Sequence, residues 1–209
     1  RPWLCCSVSG AYMIVGLGIA ASGIYGRIFT SSDYGVNWTE RQPAGDNNIA
    51  WHACSVSGSY MMVASDKRLY TSSDYGVTWT ERQPAGDVDA SWRPSVKGNY
   101  MIVVRSDGRL YISSNHGVNW IEKRPAGDVN KSWGYCAVDG NNMIAGANGG
   151  RLYTSDDYGV TWTERQPTGN APTVTIQEVT EITSNSAIGN GNITTTGFTD
   201  KSWYKCSIS

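Results

Sequence analysis

S31SDYGVNW38 places an acidic residue two positions before a glycine and closes on a tryptophan, and the pattern returns three times, as S72SDYGVTW79, S113SNHGVNW120 and S155DDYGVTW162. The acidic position falls at Asp33, Asp74, Asn115 and Asp157, at separations of 41, 41 and 42 residues. The recurrence reaches well beyond the turn. W51HACSVSGSYMMVASDKRLYTSSDYGVTWTERQPAGD87 is matched by W92RPSVKGNYMIVVRSDGRLYISSNHGVNWIEKRPAGD128 and by the stretch from Trp133 to Asn170, and a first copy runs from Trp3 to Asp46. Repeats of this length are structural units stacked against one another.

Each copy holds four short strand-like runs. In the second they are Ala53–Ser57, Tyr60–Ala64, Arg68–Ser72 and Val77–Arg82, with Ser-Gly, Ser-Asp-Lys and Asp-Tyr-Gly as turns between them. Runs such as Y60MMV63 and Y100MIV103 are apolar throughout and do not alternate, as expected of strands covered on both faces. The fourth run instead carries charge: Glu40 and Arg41, Glu81 and Arg82, Glu122 and Lys123, Glu164 and Arg165. Charges on an outermost strand discourage edge pairing, and the following Pro43, Pro84, Pro125 and Pro167 end it. Four-stranded units that need a neighbour on each side predict an all-β fold, a four-bladed β-propeller of antiparallel blades over residues 1–170. Residues 171–209 are expected to form a separate arm.

Composition agrees. Among 209 residues there are nine Trp, twelve Tyr, 24 Gly and only two Phe, and good helix formers nowhere recur at helical spacing. A net charge of -1 with 17% charged residues gives no electrostatic footprint for nucleic acid or anionic membrane. The apolar stretch M13IVGLGIAASGIYG26 is fourteen residues with four internal or terminal glycines, too short to span a bilayer. A chain that begins at Arg1 is expected to be a processed product or an excerpt.

Ser-x-Asp-x-Gly-x-x-Trp between the third and fourth strands of a blade resembles the Asp-box, or BNR repeat, found in sialidases, sortilin-type receptors, some glucan hydrolases and photosystem assembly factors. The resemblance implies a propeller with each box on the rim away from any active site. A structural reading of the box residues follows from chemistry. Asp33, Asp74, Asn115 and Asp157 accept hydrogen bonds from their own turns. Gly35, Gly76, Gly117 and Gly159 permit positive φ. Trp38, Trp79, Trp120 and Trp162 are expected to pack between blades. Calcium wants several more oxygens than one carboxylate provides, and Asn115 suits a turn better than a metal site, so no metal and no cofactor are expected.

The same resemblance would demand an arginine triad and a Tyr–Glu nucleophile of a sialidase. Arg27, Arg68, Arg109 and Arg151 sit instead at repeated positions, one per blade. The acids outside the repeat pattern (Asp66, Asp89, Asp107, Asp139, Asp156, Glu178, Glu181 and Asp200) form no pair with a recognisable role, so no catalytic residue is expected. His52 and His116 have no metal-ligand partner nearby in sequence. Cys6, Cys54 and Cys136 stand three residues after a repeat-opening Trp, as does Cys206, with Ser95 in that place in the third copy and Cys5 an extra. Packed free thiols are expected, with disulfides between neighbouring inner strands the alternative.

Two places depart from the repeat. An insertion, G16LGIAASGIY25, brings apolar Leu17, Ile19, Ile24 and Tyr25, either tucked over the channel end or presented as a contact surface. The tail after Ala171 alternates Thr, Val and Ile around Val174 and Ile176, and resembles the start of an immunoglobulin-like or fibronectin-type module of bacterial and phage surface proteins. D200KSWYKCSIS209 also echoes the blade openings. Forty residues cannot close such a sandwich, so the tail is expected to pair with another copy or a following domain. Sequons at Asn37, Asn130 and Asn192 admit glycans. The expectation is a non-enzymatic extracellular or virion-surface structural protein forming a filament or fibre. The alternatives are a sugar- or protein-binding propeller using Tyr34, Tyr75 and Tyr158, and a fragment of a glycoside hydrolase.

Overall fold

The computed structural model describes residues 3–18, 26–47, 49–106 and 108–166, with the backbone of 173–176 and 191–194. The first blade is β1 (Trp3–Ser9), β2 (Tyr12–Leu17), β3 (Ile28–Ser31) and β4 (Thr39–Arg41). The second is β5 (Ala53–Ser57), β6 (Tyr60–Ala64), β7 (Leu69–Ser72) and β8 (Thr80–Arg82). The third is β9 (Trp92–Lys97), β10 (Tyr100–Arg105), β11 (Leu110–Ser113) and β12 (Ile121–Lys123). The fourth is β13 (Trp133–Asp139), β14 (Asn142–Ala147), β15 (Arg151–Ser155) and β16 (Thr163–Arg165). Each is an antiparallel four-stranded meander in chain order, which is the four-bladed propeller architecture the repeats predict. Residues 167–209 form a second compact unit, in which β17 (Thr173–Ile176) pairs with β18 (Gly191–Thr194).

The inner three strands of the second copy lie within a residue of their predicted bounds. The fourth starts at Thr80 and not at Val77, because Val77 and Thr78 are bent round the Asp74 carboxylate. A second correction concerns the third blade. Register against β10 places Pro94 opposite Val103, where Cys6, Cys54 and Cys136 face Val15, Val63 and Ala145. The residue equivalent to those cysteines is therefore Pro94, not Ser95. The first and fourth blades carry a register shift after their opening Trp that the third lacks, and counting from Trp hides the difference.

The core lies between blades. Trp51, Val56, Met61, Val63 and Tyr70 of the second blade pack on Ile14 and Ile28 of the first. Trp92, Val96, Met101, Val103 and Tyr111 repeat this on Met62 and Leu69. Trp133, Val138, Met143, Ala145 and Tyr153 repeat it on Ile102 and Leu110. Strands covered on both faces have no polar face to alternate with, which is why these runs read as continuously apolar. The opening Trp meets the aromatic residue of its third strand edge to face, at 6.2 Å for Trp3–Phe29, 5.6 Å for Trp51–Tyr70, 5.9 Å for Trp92–Tyr111 and 5.5 Å for Trp133–Tyr153.

Serine hydroxyls tie the inner strands together. Ser7 Oγ accepts from the Val56 N–H at 3.1 Å and Ser9 Oγ from Gly58 at 3.1 Å. Ser55 and Ser57 accept from Val96 and Gly98 at 3.1 and 3.0 Å, and Ser95 from Val138 at 3.2 Å. The sixth place holds Lys97, whose amine pairs instead with Asp139 at 3.1 Å. These hydroxyls satisfy amides that no sheet ladder reaches.

Candidate functional site

The Asp-box turns and the hairpins joining the first two strands of each blade share one rim, since the Tyr75 N–H bonds to Ser59 O at 3.0 Å. In the second blade Asp74 Oδ1 accepts from Ser72 Oγ at 2.8 Å, Val77 N–H at 3.1 Å and Thr78 N–H at 2.8 Å, while Oδ2 takes the Thr78 hydroxyl at 2.6 Å. Ser72 Oγ in turn accepts from the Gly76 N–H at 2.9 Å. Asp33 and Asp157 are held alike, by Ser31 and Asn37 and by Ser155 and Thr161. In the third blade Asn115 Oδ1 keeps the bonds from Ser113 and Asn119 N–H, each at 2.9 Å. Hydrogen bonds from Asn37 hold the Asp33 carboxyl down to about 2, and those from Thr161 do the same for Asp157, also to about 2. Partial burial works against Asp74, but the bonds from Thr78, Ser72 and Val77 still lower it. Both oxygens of Asp74 therefore face protein donors, and among the described residues no three His, Cys, Asp or Glu side chains gather where an ion could sit.

The rest of the box fastens blade to blade. Tyr34, Tyr75, His116 and Tyr158 take left-handed φ values of 58 to 62°, and three of them stack on the preceding blade: Tyr75 on Tyr12 at 4.4 Å, His116 on Tyr60 at 4.0 Å and Tyr158 on Tyr100 at 4.5 Å. Tyr75 and Tyr158 are thus engaged by the fold. Trp79, Trp120 and Trp162 donate Nε1–H to the carbonyls of Gly76, Gly117 and Gly159 and pack on the cores between blades. A Cβ on Gly76 would stand 3.0 Å from Thr30 of the first blade and 3.2 Å from Met61. Trp38 makes the same bond to Gly35 but is 41% exposed.

The opposite rim carries the charges. Arg68 reaches Glu81 at 3.5 Å and Asp87 at 2.8 Å in its own repeat, and Asp89 at 3.4 Å in the link that follows it. Arg27 meets Glu40 and Asp46, Arg109 meets Glu122 and Asp128, and Arg151 meets Glu164. The four arginines serve four separate blades. On this rim one cluster breaks the symmetry. His52 Nδ1 lies 2.9 Å from the Arg93 guanidinium, and Nε2 lies 2.9 Å from Asp66. Arg93 can only donate, so Nδ1 accepts and the proton sits on Nε2, which is near the Asp66 carboxylate but makes no hydrogen bond. Burial, then the Arg93 charge, lowers the His52 pKa against the pull of Asp66. The sequence spacing that offers His52 no metal-ligand partner does not reveal this neighbourhood. Arg93 comes from β9 and Asp66 from the turn between β6 and β7, and the clue was the repeat itself: Arg93 is 41 residues on, and positions one period apart become neighbours on adjacent blades.

Cys5, Cys6, Cys54 and Cys136 are free thiols. Contact with Cys5, then burial, pushes the Cys54 thiol far up, and burial does the same to Cys136. Cys206 lies outside the described residues. Leu17 is 2% exposed and belongs to the core, which removes it from the expected contact surface. Ile19, Ile24 and Tyr25 lie outside the described residues, as do Asp107, Glu178, Glu181 and Asp200. Val174 and Ile176 fall in β17 and Asn192 in β18. The Asn37 side-chain amide donates to Asp33 at 2.7 Å, so that sequon is engaged in its box, while Asn130 is exposed. No described helix is long and apolar enough to cross a membrane.

Taken with this geometry, the turns match the BNR-Asp box repeat at residues 28–41, 69–82 and 152–165. The chain is a β-propeller-like protein carrying Asp-box repeats. Its fold is similar to an ancestral GH74 enzyme, with a TM-score of 0.57 and 14% identity over 81% of this chain and 24% of that one. It is also similar to human WBSCR16, at 0.57 and 11% over 85% and 56% of the two chains. The GH74 xyloglucanase of Xanthomonas campestris follows, at 0.52 and 18% over 90% and 34%. The chain spans little more than half of the human protein and about a third and a quarter of the xyloglucanase and the ancestral enzyme. No curated protein matches it. At such identities the likeness concerns fold alone.

Proposed function

We propose that the chain is a non-enzymatic structural module that assembles with further copies of itself. The observation behind this reading is where the recurrent ionisable groups go. Glu40, Glu81, Glu122 and Glu164 each meet the arginine of their own blade, and Asp33, Asp74 and Asp157 fold back on their own turns. Glycoside cleavage needs two carboxylates facing one cleft, about 5–10 Å apart. Repeated carboxylates already filled with donors serve the scaffold instead, and the His52 Nδ1 is occupied by Arg93. Sedimentation of the intact chain over a wide concentration range, followed by electron microscopy, tests the proposal. Concentration-dependent association without turnover of xyloglucan is expected. An ordered monomer at every concentration would favour the binding-module reading, and turnover would restore the hydrolase.

A further inference from the structure

The blades form three equivalent joints, and each blade carries both halves of the joint. The half that meets the preceding blade is Trp, Val, Met, Val or Ala, and an aromatic: Trp51, Val56, Met61, Val63 and Tyr70 in the second blade. In the first blade these places are Trp3, Val8, Met13, Val15 and Phe29. Trp3 is 60% and Val8 62% exposed, where Trp51, Trp92, Val56 and Val96 are at most 6%. Met13, Val15 and Phe29 are likewise partly exposed. The box of this blade shows the same thing, with Tyr34 at 74% and no stacking partner among the described residues.

The opposite half lies bare on the fourth blade. Ile144 is 39% exposed, while its equivalents Ile14, Met62 and Ile102 are at 0%. A shallow concavity of about 410 Å³ runs along this face between Val138, Ile144, Thr154 and Arg165. Among the described residues no hydrogen bond joins β13 back to β1, whereas β1, β5, β9 and β13 are linked in series. The first and fourth blades therefore each present a joint half that no described blade covers.

We infer that the first blade of one copy docks on the fourth blade of a second copy, and that two such contacts close one ring of two chains. This rests on the self-assembly reading above. The occupant is named by the three internal joints, which show what covers these side chains whenever a neighbour is present: another blade of this repeat. Two copies give eight blades, the upper end of the known range of about 4–8, and three copies exceed it. A head-to-tail contact that closes yields a ring and not a filament. The joint between copies differs from the internal ones at three places. Ala137 stands where Ser7, Ser55 and Ser95 accept an amide, and Asn142 stands where Tyr12, Tyr60 and Tyr100 stack. Asp139 replaces Ser9 and Ser57, and offers a carboxylate to the Gly10 N–H of the second copy. With one hydroxyl and one ring stack fewer, this contact is weaker than the others and reversible.

The test uses the 209-residue chain carrying Val8→Glu or Ile144→Lys, both at exposed positions, so each should melt as the isolated wild-type monomer does. A charge pressed against an apolar face should raise the dimer dissociation constant by at least about a hundredfold for each variant alone. In an equimolar mixture one joint carries no substitution, and in the other the introduced carboxylate faces the introduced amine. Dimers in the mixture, and in neither variant alone, are the expected result. Variants that associate as the wild type does would overturn the blade-face contact while leaving self-assembly in place. Wild-type particles longer than two copies would overturn ring closure, and a wild-type monomer would sink both readings.

Discussion

At the scale of single residues, the Asp-box is a hydrogen-bond junction, and its behaviour in acid follows from that. Replacing Asp74 with Ala orphans the Val77 and Thr78 amides and the Thr78 hydroxyl, and should lower unfolding free energy by about 1–3 kcal/mol in a denaturant titration. Asp74→Asn should cost clearly less, because Asn115 shows that an amide oxygen still receives the amide four residues on. Asp33 and Asp157 titrate near 2 in the folded chain against an ordinary 3.8. The folded state thus favours the carboxylates. Their contribution is complete above about pH 4 and is lost as pH falls toward 2. Thermal melts should show this loss, and the double variant Asp33→Asn, Asp157→Asn should flatten it. The four boxes were legible in sequence because the side-chain bonds of Asp33, Asp74, Asn115 and Asp157 are local, every partner lying within four residues. The His52, Asp66 and Arg93 cluster was not, since its members meet only once the strands are laid side by side.

Strands and blades depend on what their amides reach. Ser55→Ala leaves the Val96 N–H, inside a packed joint, without its acceptor, and should cost about 1–3 kcal/mol. Ser95→Ala should behave likewise at Val138. Hydrogen exchange is the direct check: the Val96 amide should lose protection while the β6 and β7 amides keep theirs. Apolar runs such as Y60MMV63 gave the inner strands away in the sequence, since only doubly covered strands lack a polar face. The outermost strands were overestimated because β-branched Val77 and aromatic Trp79 look like strand residues, yet the box bends one and turns the other onto the neighbouring blade. The position of Pro94 escaped for a similar reason. A register shift beside the opening Trp changes the count without changing the composition.

For the molecule as a whole, stability should depend on concentration, since a contact made only by folded copies shifts unfolding by mass action. The melting temperature of the wild type should rise with protein concentration and that of Val8→Glu should not. Ala137→Ser restores the missing acceptor on the fourth blade, and should tighten association several-fold while leaving the monomer's own melt unchanged. The period of the repeat announced blades, but the number needed to complete a circle is set by the wedge angle at each joint. That angle arises from many small packing contacts, and no motif encodes it. The identical joints carry one last consequence, which concerns inheritance. Because the second and third repeats present both halves of the same joint, unequal recombination between their coding segments would delete or duplicate 41 codons in frame. Every surviving blade would still meet a matching neighbour. Descendants of this gene should therefore differ in length by whole blades far more readily than by single strands.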